Sequence, residues 1–103
     1  MELNEYQRSA YSYSLDSARN INYLLLGLSG EVGELHSLFA KNLRDKGSIE
    51  WSAVEKELGD VLWFVSGIAE FLGMDLDHVA QVNLDKLESR KQRGTIKGSG
   101  DDR

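Results

Sequence analysis

Glu31 and Glu34 lie three residues apart, and so do Glu57 and Asp60. On a helix this spacing is just under one turn, so each pair points to one side. Counted from Leu24, the apolar stripe of the first stretch spans about 0° to about 100°, with Glu31 near ~340° and Glu34 near ~280°. Counted from Val54, the second stripe centres near ~20°, with Glu57 near ~300° and Asp60 near ~240°. Both pairs therefore flank an apolar face on the same side. Two such helices packed antiparallel bring four carboxylates together, and these must repel one another or take up protons. A hard divalent cation, Mg²⁺ or Mn²⁺, resolves the conflict because it takes oxygen ligands. Such a cation in turn attracts phosphate oxygens. Acid pairs three apart are common in a chain with 17 Asp and Glu. These two stand out by the apolar residues on either side, the adjacent glycines and the matching geometry on two helices.

The rest of the composition narrows the chemistry. The 103 residues suit one domain, read here as 1–103, with a small core that oligomerisation would enlarge. There is no Cys, which excludes a disulfide framework, an iron–sulfur cluster, a thiolate zinc site and a cysteine nucleophile. There is no Pro, as expected of long helices with short links. The net charge of −5 argues against bulk nucleic-acid binding, which draws on excess Lys and Arg. No apolar run approaches the roughly 20 residues of a membrane span, and the N-terminus does not read as a secretory signal. A cytoplasmic protein without membrane contact is the expectation.

Four helices and a tail must position the acids. A first short helix is predicted over about Leu3–Tyr13, from Leu3, Tyr6, Ala10 and Tyr13. A link follows, in which Asp16 or Ser17 is the expected cap of the next helix. The second helix is predicted from about Asn20 to Asp45, with Leu24, Leu28, Val32, Leu35 and Leu38 on its apolar face. Gly27, Gly30 and Gly33 inside it suggest close approach by a backbone or ligand. The third is predicted over about Ser52–Leu72. Ser52 and Glu55 read as a capping box, with Ser48 as an alternative earlier cap that would draw Trp51 into the helix. The fourth is predicted over about Asp75–Arg93, capped by Asp75 and ended by Gly94. The tail, about 95–103, reads as flexible. The fold class is all-α, a four-helix bundle-like protomer.

The residues then resemble a known family. Gly30-Glu31-Val32-Gly33-Glu34-Leu35, followed by Glu57-Leu58-Gly59-Asp60-Val61-Leu62-Trp63, is similar to the motifs of the MazG-like all-α nucleoside triphosphate pyrophosphohydrolases. That pattern is a Glu-x-x-Glu helix followed by a Glu-x-x-Asp helix, and here 22 residues separate Glu34 from Glu57. Asn83-Leu84-Asp85-Lys86, with Arg90 after it, is similar to the family's Asn-x-x-Lys and following Arg. Gly98-Ser99-Gly100-Asp101-Asp102-Arg103 resembles the end of one compact subgroup.

The resemblance implies hydrolysis of a nucleoside triphosphate, by preference a dNTP, between the α and β phosphates to monophosphate and pyrophosphate. It implies Mg²⁺, with Mn²⁺ as a substitute, held by Glu31, Glu34, Glu57 and Asp60. It also implies a homodimer or tetramer in which helices of two chains build each site. Many members carry two adjacent acids at the start of the first motif, and Gly30 occupies the first of those positions. The water-activating role therefore falls to Glu31 or Glu34, or to no dedicated base, since a metal lowers the pKa of bound water.

Substrate contacts follow from position. Lys86 and Arg90, one turn apart, could meet the triphosphate, and Asn83 a phosphate or the sugar. Phe64, four residues after Asp60, lies on the acid side and is the best aromatic for a base slot. The early tyrosines read as packing residues. Two other readings stand beside the leading one. One is a phosphoribosyl-ATP pyrophosphohydrolase with similar metal motifs. The other is a non-catalytic helical oligomer that binds a nucleotide or a protein, which Gly30 favours and the four intact acids oppose.

Overall fold

A computed structural model describes residues 1–103. It is all-helical, with α1 (Leu3–Ser12), α2 (Ile21–Asp45), α3 (Trp51–Phe71) and α4 (Leu76–Arg93), and a short 3₁₀ turn at Asp16–Ala18. The apolar periodicities therefore produce the four expected helices. Their ends differ from the sequence expectation where tertiary partners replace local caps.

Helix α2 is capped by Asn20, whose side chain accepts from the amides of Asn22 (2.9 Å) and Tyr23 (3.1 Å). Neither Asp16 nor Ser17 does this, because the 3₁₀ turn takes both up before the helix begins. The capping box at Ser52 does not form. Helix α3 starts at Trp51, with Glu50 in the cap position and no side-chain cap bond. Asp75 likewise sits at the start of α4 without a side-chain cap bond. Two residues of α1 replace it: Leu76 N–H donates to Gln7 Oε1 (2.7 Å) and Asp77 N–H to Asn4 Oδ1 (2.9 Å). Orphan donors at a helix start need a partner, and here one helix caps another.

The two glycine stops act as expected. Gly73 (φ 73°) and Gly94 (φ 70°) take the left-handed conformation. Each closes a Schellman motif, with Met74 N–H bonded to Ala69 O and Thr95 N–H to Arg90 O, both at 2.8 Å.

Helices α2 and α3 pack as a hairpin, α1 lies on α3, and α4 packs against α1 and α3 rather than α2. Leu24 and Ser66 are fully buried at the centre, and a Cβ at Gly67 would sit 3.2 Å from the Leu24 side chain. Trp63 Nε1 donates to Ala10 O (3.0 Å) and Gln7 Nε2 to Glu70 (2.8 Å), tying α1 to α3.

Only nine residues are buried, and the accessible surface is 7588 Å². A compact monomer of this mass would expose about 5,800 Å². The radius of gyration is 16.5 Å, against about 13 Å for a compact chain of this length. The apolar stripes are thus wider than one protomer covers. Leu25, Leu43, Leu58, Val82 and Leu84 are about half exposed or more.

Candidate metal centre

The hairpin register follows from two contacts. Gly27 lies beneath Phe64, where an added Cβ would run into the ring, and Gly67 lies against Leu24. Antiparallel helices in that register put Glu31 level with Asp60 and Glu34 level with Glu57. The close approach expected of the α2 glycines thus occurs at Gly27, and what approaches is an aromatic ring. Gly30 and Gly33 face open space.

Glu31, Glu57 and Asp60 each offer a carboxylate oxygen, and these oxygens lie within 4.8 Å of one another. Glu31 and Glu57 are half-buried and Asp60 is exposed. Glu34 is exposed and lies outside this group, although its charge acts on Glu31. Desolvation first, then the hydrogen bond to Glu57, then the charges of Asp60, Glu57 and Glu34 push the Glu31 carboxyl above its ordinary range. Glu57 Oε2 is buried and has no hydrogen-bond partner. With both carboxyls ionised, nothing donates to that oxygen. A proton on Glu31 or a cation between the acids would satisfy it. An all-oxygen donor set with an unsatisfied buried oxygen fits a hard divalent ion.

Tyr6 of α1 also borders the site. Burial, then the Asp60 charge, raises its phenol pKa. The sequence carried no signal for this, because Tyr6 arrives through the packing of α1 on α3.

The other expected site residues are not part of this carboxylate group. Phe64 is sandwiched in an aromatic cluster, its ring centroid 5.0 Å from Trp63 (edge-on) and 6.1 Å from Tyr23. Asn83 is exposed on α4. Lys86 Nζ pairs with Asp101 at 3.1 Å. Arg90 is buried, and its Nη2 donates to the carbonyls of Asp101 (2.7 Å) and Gly100 (3.3 Å). No ion pair or hydrogen bond joins Asn83, Lys86 or Arg90 to the acids. The tail, read as flexible from sequence, lies along the end of α4. The Arg103 guanidinium turns back on the tail itself and donates to Thr95 O (3.1 Å), Gly100 O (2.6 Å) and Ile96 O (3.0 Å). No helix is long and apolar enough to cross a membrane.

Comparison with known proteins shows the family of this chain. A family model described as the MazG nucleotide pyrophosphohydrolase domain matches residues 19–95, which span both acid pairs and α4. The "Gene 37 protein" of Mycobacterium phage L5 is 45% identical over 92 residues, covering 85% of this chain and 81% of that protein. Its name states no activity. No solved structure matches.

Proposed function

The chain belongs to the MazG nucleotide pyrophosphohydrolase family, and from that premise we propose that it hydrolyses a nucleoside triphosphate, by preference a dNTP, to monophosphate and pyrophosphate. The observation that carries this reading is the group formed by Glu31, Glu57 and Asp60 around an unsatisfied buried oxygen of Glu57. These three carboxylates, with Glu34 closing in from the next turn, would hold Mg²⁺, or Mn²⁺ in its place. When bound, the ion neutralises phosphate charge and lowers the pKa of water. Glu31, which faces both Glu57 and Asp60, is the first candidate to accept the proton of the attacking water. Glu34 is the second candidate, exposed one turn along. Water adds at phosphorus, the α–β bridge breaks, and pyrophosphate leaves. Asn83, Lys86 and Arg90 serve the phosphates and sugar, and the edge of the Phe64 cluster serves the base.

A second copy of the chain completes this scheme in the cytoplasm. The excess exposed surface and the half-exposed leucines of α2, α3 and α4 support a homodimer or tetramer. Obligate interfaces bury about 2,000 Å² or more in total, and a surplus of this size supplies that. Because no bond joins Lys86 or Arg90 to the acids within one chain, these basic residues would meet the acids of a neighbour.

The test is product analysis. Purified protein is incubated with Mg²⁺ and a panel of NTPs, dNTPs and phosphoribosyl-ATP, and the products are separated. Monophosphate with pyrophosphate is the expected outcome. Orthophosphate release would overturn α–β cleavage, and no product across the panel would favour a binding role.

A further inference from the structure

The C-terminal tail is a built element. Gly98 and Gly100 adopt positive φ (140° and 85°), and a Cβ at Gly98 would lie 2.9 Å from Arg103 Cδ. Arg103 gathers three tail carbonyls, Arg93 Nη2 donates to Arg103 O (2.7 Å), and Arg90 holds Gly100 O and Asp101 O. These bonds run to main-chain oxygens, so the loop does not depend on its acidic side chains.

One side chain does something different. Asp101 Oδ1 lies 3.1 Å from Lys86 Nζ and 3.5 Å from Arg90 Nη2. A single anionic oxygen shared by two cations one turn apart is how a phosphate oxygen would sit there. The Asp101 side chain is 84% exposed and that of Lys86 34%, so the pair is open to solvent and to an incoming anion. Exposed ion pairs are weak, whereas a polyphosphate brings more charge and more acceptor oxygens. Arg90 is 95% buried, yet its Nε has no partner, and the nearby Thr95 Oγ1 is also unpartnered. Both of those atoms are buried, so the part of the site open to an incoming anion is the one that Asp101 Oδ1 occupies beside Lys86 Nζ.

We propose that the Asp101 carboxylate is an intramolecular competitor for the Lys86–Arg90 site, a self-inhibitory contact that a polyphosphate must displace. The inference rests on the reading of Lys86 and Arg90 as phosphate ligands. Displacing one carboxylate leaves the loop folded, because Arg90 and Arg103 keep their carbonyl partners.

The test is calorimetric titration of full-length, metal-free protein with inorganic tripolyphosphate. Asp101→Asn keeps the shape and removes the charge, and should bind tripolyphosphate about two- to fivefold more tightly, the span expected for losing an exposed ion pair. Lys86→Ala in the Asp101→Asn background should abolish the gain. In turnover, Asp101→Asn should lower KM by the same factor and leave kcat unchanged. Unchanged or weaker tripolyphosphate binding by Asp101→Asn would overturn the competition. Asp101→Ser, with helical content checked by circular dichroism, repeats the test should Asp101→Asn disturb the loop. Tighter tripolyphosphate binding without hydrolysis of any nucleotide would keep this contact and reject the pyrophosphohydrolase reading. Hydrolysis with an unaltered KM would do the reverse.

Discussion

The acidic centre on α2 and α3 and the basic end of α4 are electrostatic opposites, and they are also opposites in completeness. Around Glu31, three carboxylates face one another, and a buried oxygen of Glu57 lacks a donor. At the end of α4, Lys86, Arg90 and Arg93 already have acceptors in the tail. The first region brings like charges together, which costs free energy unless a proton or a cation is shared among them. The second is nearly satisfied within the chain and must exchange an internal partner for any ligand. A cluster of like charges therefore points to a ligand more strongly than a run of opposite charges that the chain itself neutralises.

The largest effect should come from the acidic side. Glu57→Gln is expected to lower turnover by at least about 100-fold, or about 2.7 kcal/mol in the barrier. Helical content by circular dichroism should stay the same, and the thermal stabilisation by Mg²⁺ should disappear. Retained turnover in both Glu57→Gln and Asp60→Asn would break the assignment of the acids. Next in size is the register that brings them together. Gly27→Ala drives a methyl into the Phe64 ring, and overpacking of this kind destabilises by about 1–3 kcal/mol. Urea unfolding would read it, and an unchanged midpoint would show that Phe64 has room to move.

On the basic side the expected effect is local. Arg90→Ala leaves the Gly100 and Asp101 carbonyls without their donor. Trypsin should then cut at Lys97 severalfold faster, with little change in global unfolding. Equal cleavage rates would mean that Arg103 alone organises the tail. The smallest effect is in pH dependence, and its sign separates the two regions. The Glu31 pKa is raised in the fold, so the folded chain binds more protons than the unfolded one just above the ordinary carboxylate range. Metal-free stability should fall as pH rises through that window, and Mg²⁺ should flatten the fall. The Asp101 pKa is lowered by Lys86 first and then Arg90. Its contribution is present above the ordinary carboxylate value and is lost as pH falls through the lowered one. Denaturant midpoints measured against pH with and without chelator would distinguish the windows. A single window shared by both regions would contradict the contrast.

How much of this was legible beforehand depends on how local the cause is. The helices follow from period-3.6 apolar patterns and from glycine stops such as Gly73 and Gly94, all written within a few residues. The acid pairs were legible for the same reason, since three-residue spacing on a helix sets direction. Caps were less legible. Ser52 and Glu55 have capping-box spacing but do not form one, and α4 takes its caps from Gln7 and Asn4, about 70 positions away. Tyr6 at the border of the acidic site was invisible, because nothing local links it to Asp60.

The sequence by itself thus determined four helices, the side of each that carries acids, and a donor set of oxygen alone. Spacing along a helix and residue chemistry are enough for those. Only the tertiary structure decided that Glu31, Glu57 and Asp60 converge while Glu34 stands apart. The seating of Phe64 on Gly27 sets the register, but that register alone places Glu34 level with Glu57, so the difference lies in where the side chains are carried across the seam. It also decided that Arg90 turns to the tail. A guanidinium goes where acceptors are presented, and the left-handed glycines present them ten residues further on.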